Sequence, residues 1–301
     1  MTRAAQSVVT DEEVATYREE GCTRIRGAFP REWVQRLLAA HERLVERCEA
    51  VAVVNPATGT RSARIGATER IPALQYTRSP SGAFGIRNAV FHDPDFAAWL
   101  WESPAAEIVA RTIGSTRLQF WFDQTFCKAA GGAPESASAW HTDIGSFSFL
   151  GQHLPSFWIA LTDVGPDDAP LQTVPGSHRD PRMFRPVFGR EGVPLPPGYA
   201  ELEEIVRAVR DPATPIRTWE VEAGDALMIH PFCWHASLPN TGRGGARIGF
   251  SSRWLGDDVT WQKREMTFDY PDDPRFRDVR QGEAAPLEGF PYVWPRQSRA
   301  A

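Results

Sequence analysis

The sequence predicts a mainly β fold with flanking helices: a strand sandwich or barrel behind an N-terminal helical layer. Three observations in the 301 residues carry this. Helix caps and helical spacing concentrate before residue 115. Beyond it, apolar residues recur with period two. Glycine and proline turn signals then cut that region into short segments, the pattern of an all-β core.

In chain order, Thr10-Asp11-Glu12-Glu13 is a capping box, in which the hydroxyl and the carboxylate each satisfy the other residue's backbone N–H. It opens a short helix that Gly21 ends. A second helix begins at Pro30, with Trp33, Leu37, His41, Leu44 and Val45 on one apolar face. A third starts near Asp93 and carries Phe96, Trp99 and Leu100. Ser103-Pro104 opens a fourth, with a cap residue ahead of proline, and it runs to Gly114. The helical layer is thus expected over about residues 10–114.

Leu118, Phe120 and Phe122 then alternate with Gln119, Trp121 and Asp123, which reads as a strand. Further strands are expected at Phe157 to Thr162, Leu171 to Val174, Ile216 to Val221, Ala226 to Ile229 and Ala246 to Trp254. Gly131-Gly132, Gly165-Pro166, Pro175-Gly176, Gly224-Asp225 and Pro239-Asn240 separate them. The β core spans about 116–255. Residues 181–215 are rich in proline and charge, with a helix expected at Glu201 to Val209. That is too long for a plain connection, and it reads as an insertion or lid with Gly189, Gly192 and Gly198 as hinges. With no linker and no repeat, residues 1–301 are expected to form a single domain.

Net charge is −5 and the isoelectric point about 5.9, which argues against a nucleic-acid footprint or an anionic membrane surface. No apolar run approaches the ~20 residues of a membrane span, and the first residues lack the apolar core of a signal peptide. A cytoplasmic protein with a small-molecule partner is the expectation. Cys22, Cys48, Cys127 and Cys233 show no C-x-x-C spacing and read as reduced thiols.

The chemistry is carried by Trp140-His141-Thr142-Asp143, His235-Ala236-Ser237 and Arg247. A His-x-Asp pair followed by a distant histidine is the ligand set of a facial triad that leaves positions open on non-haem Fe(II). His-x-Asp also occurs at His178-Arg179-Asp180, so spacing alone identifies nothing. In a strand, residues i and i+2 share a face, so His141 and Asp143 can reach one ion. The second copy follows the turn Pro175-Gly176-Ser177 and runs into Pro181. Between His230 and His235 for the distal ligand, His235 is preferred. It precedes Arg247 by twelve residues, a hairpin's length through Leu238-Pro239-Asn240-Thr241-Gly242. Arg247 shares a face with Gly249, Ser251 and Arg253. A guanidinium facing the interior needs an anion, and its planar fork fits a carboxylate, so a dicarboxylate cosubstrate is expected beside the metal.

In this ordered set the chain resembles the phytanoyl-CoA dioxygenase superfamily of Fe(II)/2-oxoglutarate-dependent oxygenases. The residues that carry the resemblance are Trp140 to Asp143, Trp158-Ile159-Ala160-Leu161-Thr162-Asp163, Leu171 to His178, Gly224-Asp225, His235 to Asn240 and Arg247; it extends over about residues 10–255. It implies a double-stranded β-helix (jelly roll, cupin-like) with outer helices. It also implies iron on His141, Asp143 and His235, and Arg247 on the distal carboxylate of 2-oxoglutarate. Gln124 and Ser237 match cosubstrate contacts, and Trp158 matches a pocket wall. Asp168-Ala169-Pro170 departs from the acidic-Asn-Gly usual there. The implied reaction consumes O2 and 2-oxoglutarate and oxidises a C–H bond. Hydroxylation of a hydrophobic or ring-bearing specialised metabolite is the first expectation, with cyclisation, desaturation or epimerisation as alternatives on the same cofactors. Phe147, Trp234 and Arg253 are expected near the substrate. Two other classes share the triad pattern. A cupin-like metal isomerase would release no succinate, and a non-catalytic binding protein would not turn over.

Overall fold

In the computed structural model, residues 8–187, 192–270 and 272–296 are described. The capping box forms: the Thr10 hydroxyl accepts from the Glu13 N–H at 3.2 Å, and the Glu13 carboxylate accepts from the Thr10 N–H at 2.8 Å. It opens α1 (Asp11–Glu20), which Gly21 closes at φ 78°, a left-handed turn that glycine takes without strain. β1 (Cys22–Ile25) and α2 (Arg31–Glu49) follow. α2 buries Val34, Leu37, Ala40, His41, Leu44 and Cys48 along one face, close to the stripe expected from the sequence.

The stretch after α2 corrects the expected helical layer over 10–114. Four strands lie inside it: β2 (Val53–Val54), β3 (Arg61–Ile65), β4 (Leu74–Arg78) and β5 (Phe84–Arg87). Their alternation sets Ala63, Leu74, Tyr76 and Ile86 against Arg64, Gln75 and Arg87, with few large apolar residues on the inner side. Such weak patterning does not declare a strand. Pairing with the edge of β6 (Leu118–Lys128) makes one.

α3 (Pro94–Glu102) and α4 (Ala105–Ile113) complete the helical layer. After β6 come β7 (Ser138–His141), β8 (Phe149–Leu150), β9 (Ser156–Ala160) and β10 (Leu171–Thr173). β11 (Met183–Phe184), β12 (Tyr199–Ala200), α5 (Leu202–Val209), β13 (Arg217–Trp219) and β14 (Ala226–Ile229) are next. β15 (His235–Ser237), β16 (Arg247–Leu255), β17 (Thr260–Trp261) and β18 (Tyr292–Trp294) end the series. A ten-stranded sheet runs β1-β14-β9-β16-β6-β5-β4-β3-β2, with β18 beside the start of β6; a four-stranded sheet runs β13-β10-β15-β7. The pairings within both are antiparallel.

One face of the large sheet is covered by the helices. Leu37, Phe96, Trp99 and Ile108 pack there on Phe157, Phe250 and Trp254, each buried side chain contributing about 1.5–3 kcal/mol. The other face meets the small sheet through Trp158, Ala160 and Leu227 against Trp219 and Val221. Functional side chains lie in this second layer. In the 181–215 segment, Phe184, Ala200 and Ile205 are buried with Trp140 and Trp234, so the segment is packed against β7 and the chain entering β15. The proposed hinge Gly189 lies outside the described residues. All four cysteines are free and buried. Among the described residues, no helix is long and apolar enough to cross a membrane.

Candidate active site

His141 ends β7 and His235 opens β15, directly opposite each other in the ladder. Asp143 lies in the bend just past β7, not on the strand itself; a turn closed by Ser146 N–H to Asp143 O at 3.1 Å brings it back. Ligand atoms of His141, Asp143 and His235 all lie within 4.8 Å of one another. His141 Nε2 is 3.9 Å and His235 Nε2 4.0 Å from Asp143 Oδ1.

The surroundings fix which atoms are free. His141 Nδ1 sits 2.7 Å from Ala139 O and His235 Nδ1 2.9 Å from Cys233 O. Each Nδ1–H therefore donates to a backbone carbonyl and each Nε2 keeps its lone pair for an ion, the arrangement of ligating histidines. Burial, with the neighbouring His235, pushes His141 down to about 4, so it is neutral near pH 7. Burial alone would raise the Asp143 carboxyl, but the Arg253 guanidinium, with the Ser156 hydroxyl, holds it well below the usual carboxylate range. Its Oδ2 accepts from Ser156 Oγ and from Arg253 at 3.3 Å. Oδ1 is left facing the histidines. Two imidazole nitrogens with free lone pairs and one carboxylate oxygen suit a first-row divalent metal.

Beside the triad, Arg247 opens β16 and Lys128 ends β6, directly opposed in register and both buried. Opposed like charges repel, and buried charge without a partner is costly. Burial pushes Arg247 down to about 10; burial and Arg247 together push Lys128 down to about 7. Arg247 donates to Ala169 O at 3.1 Å and stacks 5.0 Å from the Trp158 ring, while its Nε is buried without a partner. Lys128 donates to Ser237 Oγ at 2.6 Å. Among the described residues no carboxylate pairs with either cation. Gly249 lies between Arg247 and Ser251 on β16, and a methyl there would collide with the Trp158 indole. Ala169, where the sequence departs from the usual turn, takes φ 56° and offers its carbonyl to Arg247. The donors fit a dicarboxylate: a cationic pair, a hydroxyl and an unused guanidinium N–H.

Of the residues singled out from sequence, the structure brings together His141, Asp143, His235, Arg247, Ser237 and Trp158. Gln124 joins them on β6, opposite Ser251. Phe147 lies 5.8 Å from the Arg253 guanidinium. Two expectations change. Arg253 is engaged by Asp143 and Ser251 rather than open toward a substrate. Trp234, just before β15, packs instead on Phe184 at 5.8 Å within the cluster of the 181–215 segment. His178 and His230 pack against each other with tilted rings, centroids 5.0 Å apart, with His178 near Arg18 O and His230 on Gln152. Sequence reasoning missed Lys128 and Ser156. The signal for Lys128 was parity, since Gln124, Phe126 and Lys128 share a face of one strand.

The family model of phytanoyl-CoA dioxygenase (PhyH) matches residues 17–249. No curated protein matches the sequence. Among solved structures, the non-haem α-ketoglutarate-dependent carbocyclase SnoK from nogalamycin biosynthesis is similar at TM-score 0.66 and 20% identity, over 95% of this chain and 96% of that one. The epimerase SnoN in complex with Fe3+, α-ketoglutarate and nogalamycin RO matches at 0.63 and 20%, over 94% and 98%. EctD from S. alaskensis with 2-oxoglutarate and 5-hydroxyectoine matches at 0.62 and 15%, over 95% and 88%. At these identities the structures share the fold, while the family match spans most of the chain and both metal-ligand segments. The chain belongs to the phytanoyl-CoA dioxygenase family of non-haem iron, 2-oxoglutarate-dependent oxygenases.

Proposed function

We propose that this enzyme oxidises an unactivated C–H bond of a small, ring-bearing or hydrophobic specialised metabolite, with hydroxylation as the outcome. One observation carries the reading: two imidazole nitrogens and a single free carboxylate oxygen converge beside Arg247 and Lys128, two buried basic groups with no carboxylate partner among the described residues. When bound, iron and 2-oxoglutarate supply an O2-driven C–H oxidation coupled to decarboxylation of the 2-oxo acid to succinate and carbon dioxide.

The chain's own residues then have definite tasks. His141, Asp143 and His235 hold the metal, and their hydrogen bonds to Ala139 O, Cys233 O, Ser156 and Arg253 fix which atoms point inward. By occupying Oδ2, Ser156 and Arg253 leave Oδ1 as the oxygen Asp143 would offer a metal. Arg247, Lys128 and Ser237 take the distal carboxylate, Trp158 walls off water, and Gln124 borders the same space. This reading treats the two sheets as a double-stranded β-helix, residues 1–301 as one catalytic domain, and 181–215 as a lid whose closure excludes water.

The test is 2-oxoglutarate turnover with Fe(II) under air across a panel of ring-bearing metabolites, scored by succinate and product mass. Succinate with gain of one oxygen supports hydroxylation. Loss of two hydrogens gives desaturation or cyclisation instead, and unchanged mass gives epimerisation. The carbocyclase SnoK and the epimerase SnoN, which share this fold, keep the last two in view. No succinate with any panel member, in protein that binds Fe(II), would favour a metal isomerase or a binding protein.

A further inference from the structure

The face of the large sheet that carries Ser251 and Gln124 continues outward. Ser251 opposes Gln124, Gln124 opposes Arg87, Arg87 opposes Gln75, and Gln75 opposes Arg64. Directly opposed residues share one side of a sheet. A polar row therefore runs from beside the metal triad across β5 and β4 to β3. The chain around Tyr270 and Asp273 closes over it and leaves a cavity of about 330 Å³. That volume admits one small molecule, at the lower end of the ~300–1,000 Å³ typical of ligand sites.

Phe122 forms the inner wall. Its ring centroid lies 4.6 Å from the Arg87 guanidinium and 5.4 Å from that of Arg253. Arg253 reaches Asp143 at 3.3 Å. A single aromatic ring thus stands between the cavity and the side chain that anchors the metal-facing carboxylate.

The carboxylates bordering the cavity already have partners. Lys263 takes Asp269, Arg64 takes Asp272 and Arg275 takes Asp273. Asp123, next to Phe122, faces the other way and accepts from the N–H groups of Ala89 and Val90 at 2.8 and 3.1 Å. Arg87 is half-buried and makes no ion pair or side-chain hydrogen bond among the described residues. Desolvation pushes its pKa down, so the charge is held where an anion would be welcome.

We propose that this cavity is the substrate subsite, in which Arg87 receives an oxyanion, carboxylate or ionised phenol, borne by a ring that packs on Phe122 and Tyr270. The proposal rests on the iron and 2-oxoglutarate reading, which makes a molecule held here a substrate. A guanidinium on a desolvated aromatic face both stacks and donates in a planar fork. The walls select a flat ring, and the arginine selects its charge.

The test uses 2-naphthoate and its uncharged counterpart 2-naphthamide as probes. Both are titrated by calorimetry into anaerobic enzyme loaded with Fe(II) and saturating 2-oxoglutarate, so that Arg247 is occupied. Wild type should bind naphthoate at least about tenfold more tightly. Arg87→Gln should bind the two probes alike, Arg87→Lys should keep part of the preference, and the surface variant Arg111→Gln should keep all of it. Cosubstrate affinity, read separately from the charge-transfer absorption of the anaerobic complex, should stay within about twofold in Arg87→Gln. The proposal is overturned if wild type shows no saturable naphthoate binding or no preference. It is equally overturned if the preference survives in Arg87→Gln, or if that variant loses 2-oxoglutarate instead, which would put Arg87 in the cosubstrate cradle. Failure of wild type to give the charge-transfer band would sink the cofactor reading, while the naphthoate titration would still report on the subsite.

Discussion

His141-Thr142-Asp143 and His178-Arg179-Asp180 share one motif and differ in almost everything the fold supplies. At the first, a strand ends on the histidine and a bend returns the aspartate, so Nε2 and Oδ1 face the same point. At the second, the residues fall on a 3-10 turn, Ser177–Arg179. There Asp180 is taken by Arg182 at 2.8 Å, and His178 Nε2 sits 3.2 Å from Arg18 O. The distal histidines divide the same way. His235 directs Nε2 at Asp143, whereas His230 spends Nε2 on Gln152 at 3.0 Å and packs at a tilt against His178. Each histidine that spends Nδ1 on the carbonyl two residues before it, Ala139 or Cys233, has a nitrogen left for a metal. His178 and His230 spend Nε2 on Arg18 O and Gln152 and serve the fold.

The largest expected effect would break this division directly. His141→Ala should abolish measurable Fe(II) binding, more than the ~10–100-fold loss typical of removing an outer partner of a ligand. His178→Ala should leave metal affinity close to wild type and lower thermal stability instead. Calorimetric Fe(II) or Co(II) titration of both variants decides it, and strong loss in His178→Ala would erase the distinction.

Next is the cationic pair. Arg247→Ala should weaken 2-oxoglutarate binding by about 2–5 kcal/mol, the range for removing one partner of a buried charge pair. Arg247→Lys should recover only part of it, because the fork geometry is lost. Lys128→Met should also weaken binding, by less, since Arg247 remains. Equal affinity in wild type and Arg247→Ala would move the cradle elsewhere. A third comparison sharpens the role of Arg253. Arg253→Gln should lower Fe(II) affinity by about 10–100-fold and shift the charge-transfer band, whereas a purely substrate-binding arginine would move neither.

The smallest effect concerns the structural histidines. His230 is pushed down to about 3 by burial and by nearby His178 and His153, from an ordinary value of 6.5. Its neutral form therefore contributes stability that is complete above pH 6.5 and is lost as pH falls from there toward 3. In metal-free protein, His230→Asn should flatten the fall of unfolding free energy between pH 7 and pH 5 by up to about 1.4 kcal/mol per pH unit. An unchanged slope would mean that this ring is not the group taking up the proton.

The same physics separates what was legible in the sequence from what was not. Capping residues, helical spacing and period-two alternation are local, and they located α1 to α4, β9, β14, β16 and the first half of β6, whose run on to Lys128 they did not show. The ordered set of His141, Asp143, His235 and Arg247 likewise pointed to one metal and one dicarboxylate. Local pattern could not reveal β2 to β5, whose alternation pairs arginine, glutamine and threonine with few large apolar residues and which exist as strands because β6 offers an edge. Nor could it place Lys128 against Arg247, since that meeting depends on the register of two strands more than a hundred residues apart. Trp234 and Arg253 show the same limit: one packs on Phe184 of the 181–215 segment, and the other is taken by Asp143. Local pattern thus announced the strongly patterned elements and the chemistry they can carry. Only the tertiary structure decided which nitrogen each histidine has free and which charges face each other, because hydrogen bonds and burial are settled by neighbours distant in the chain.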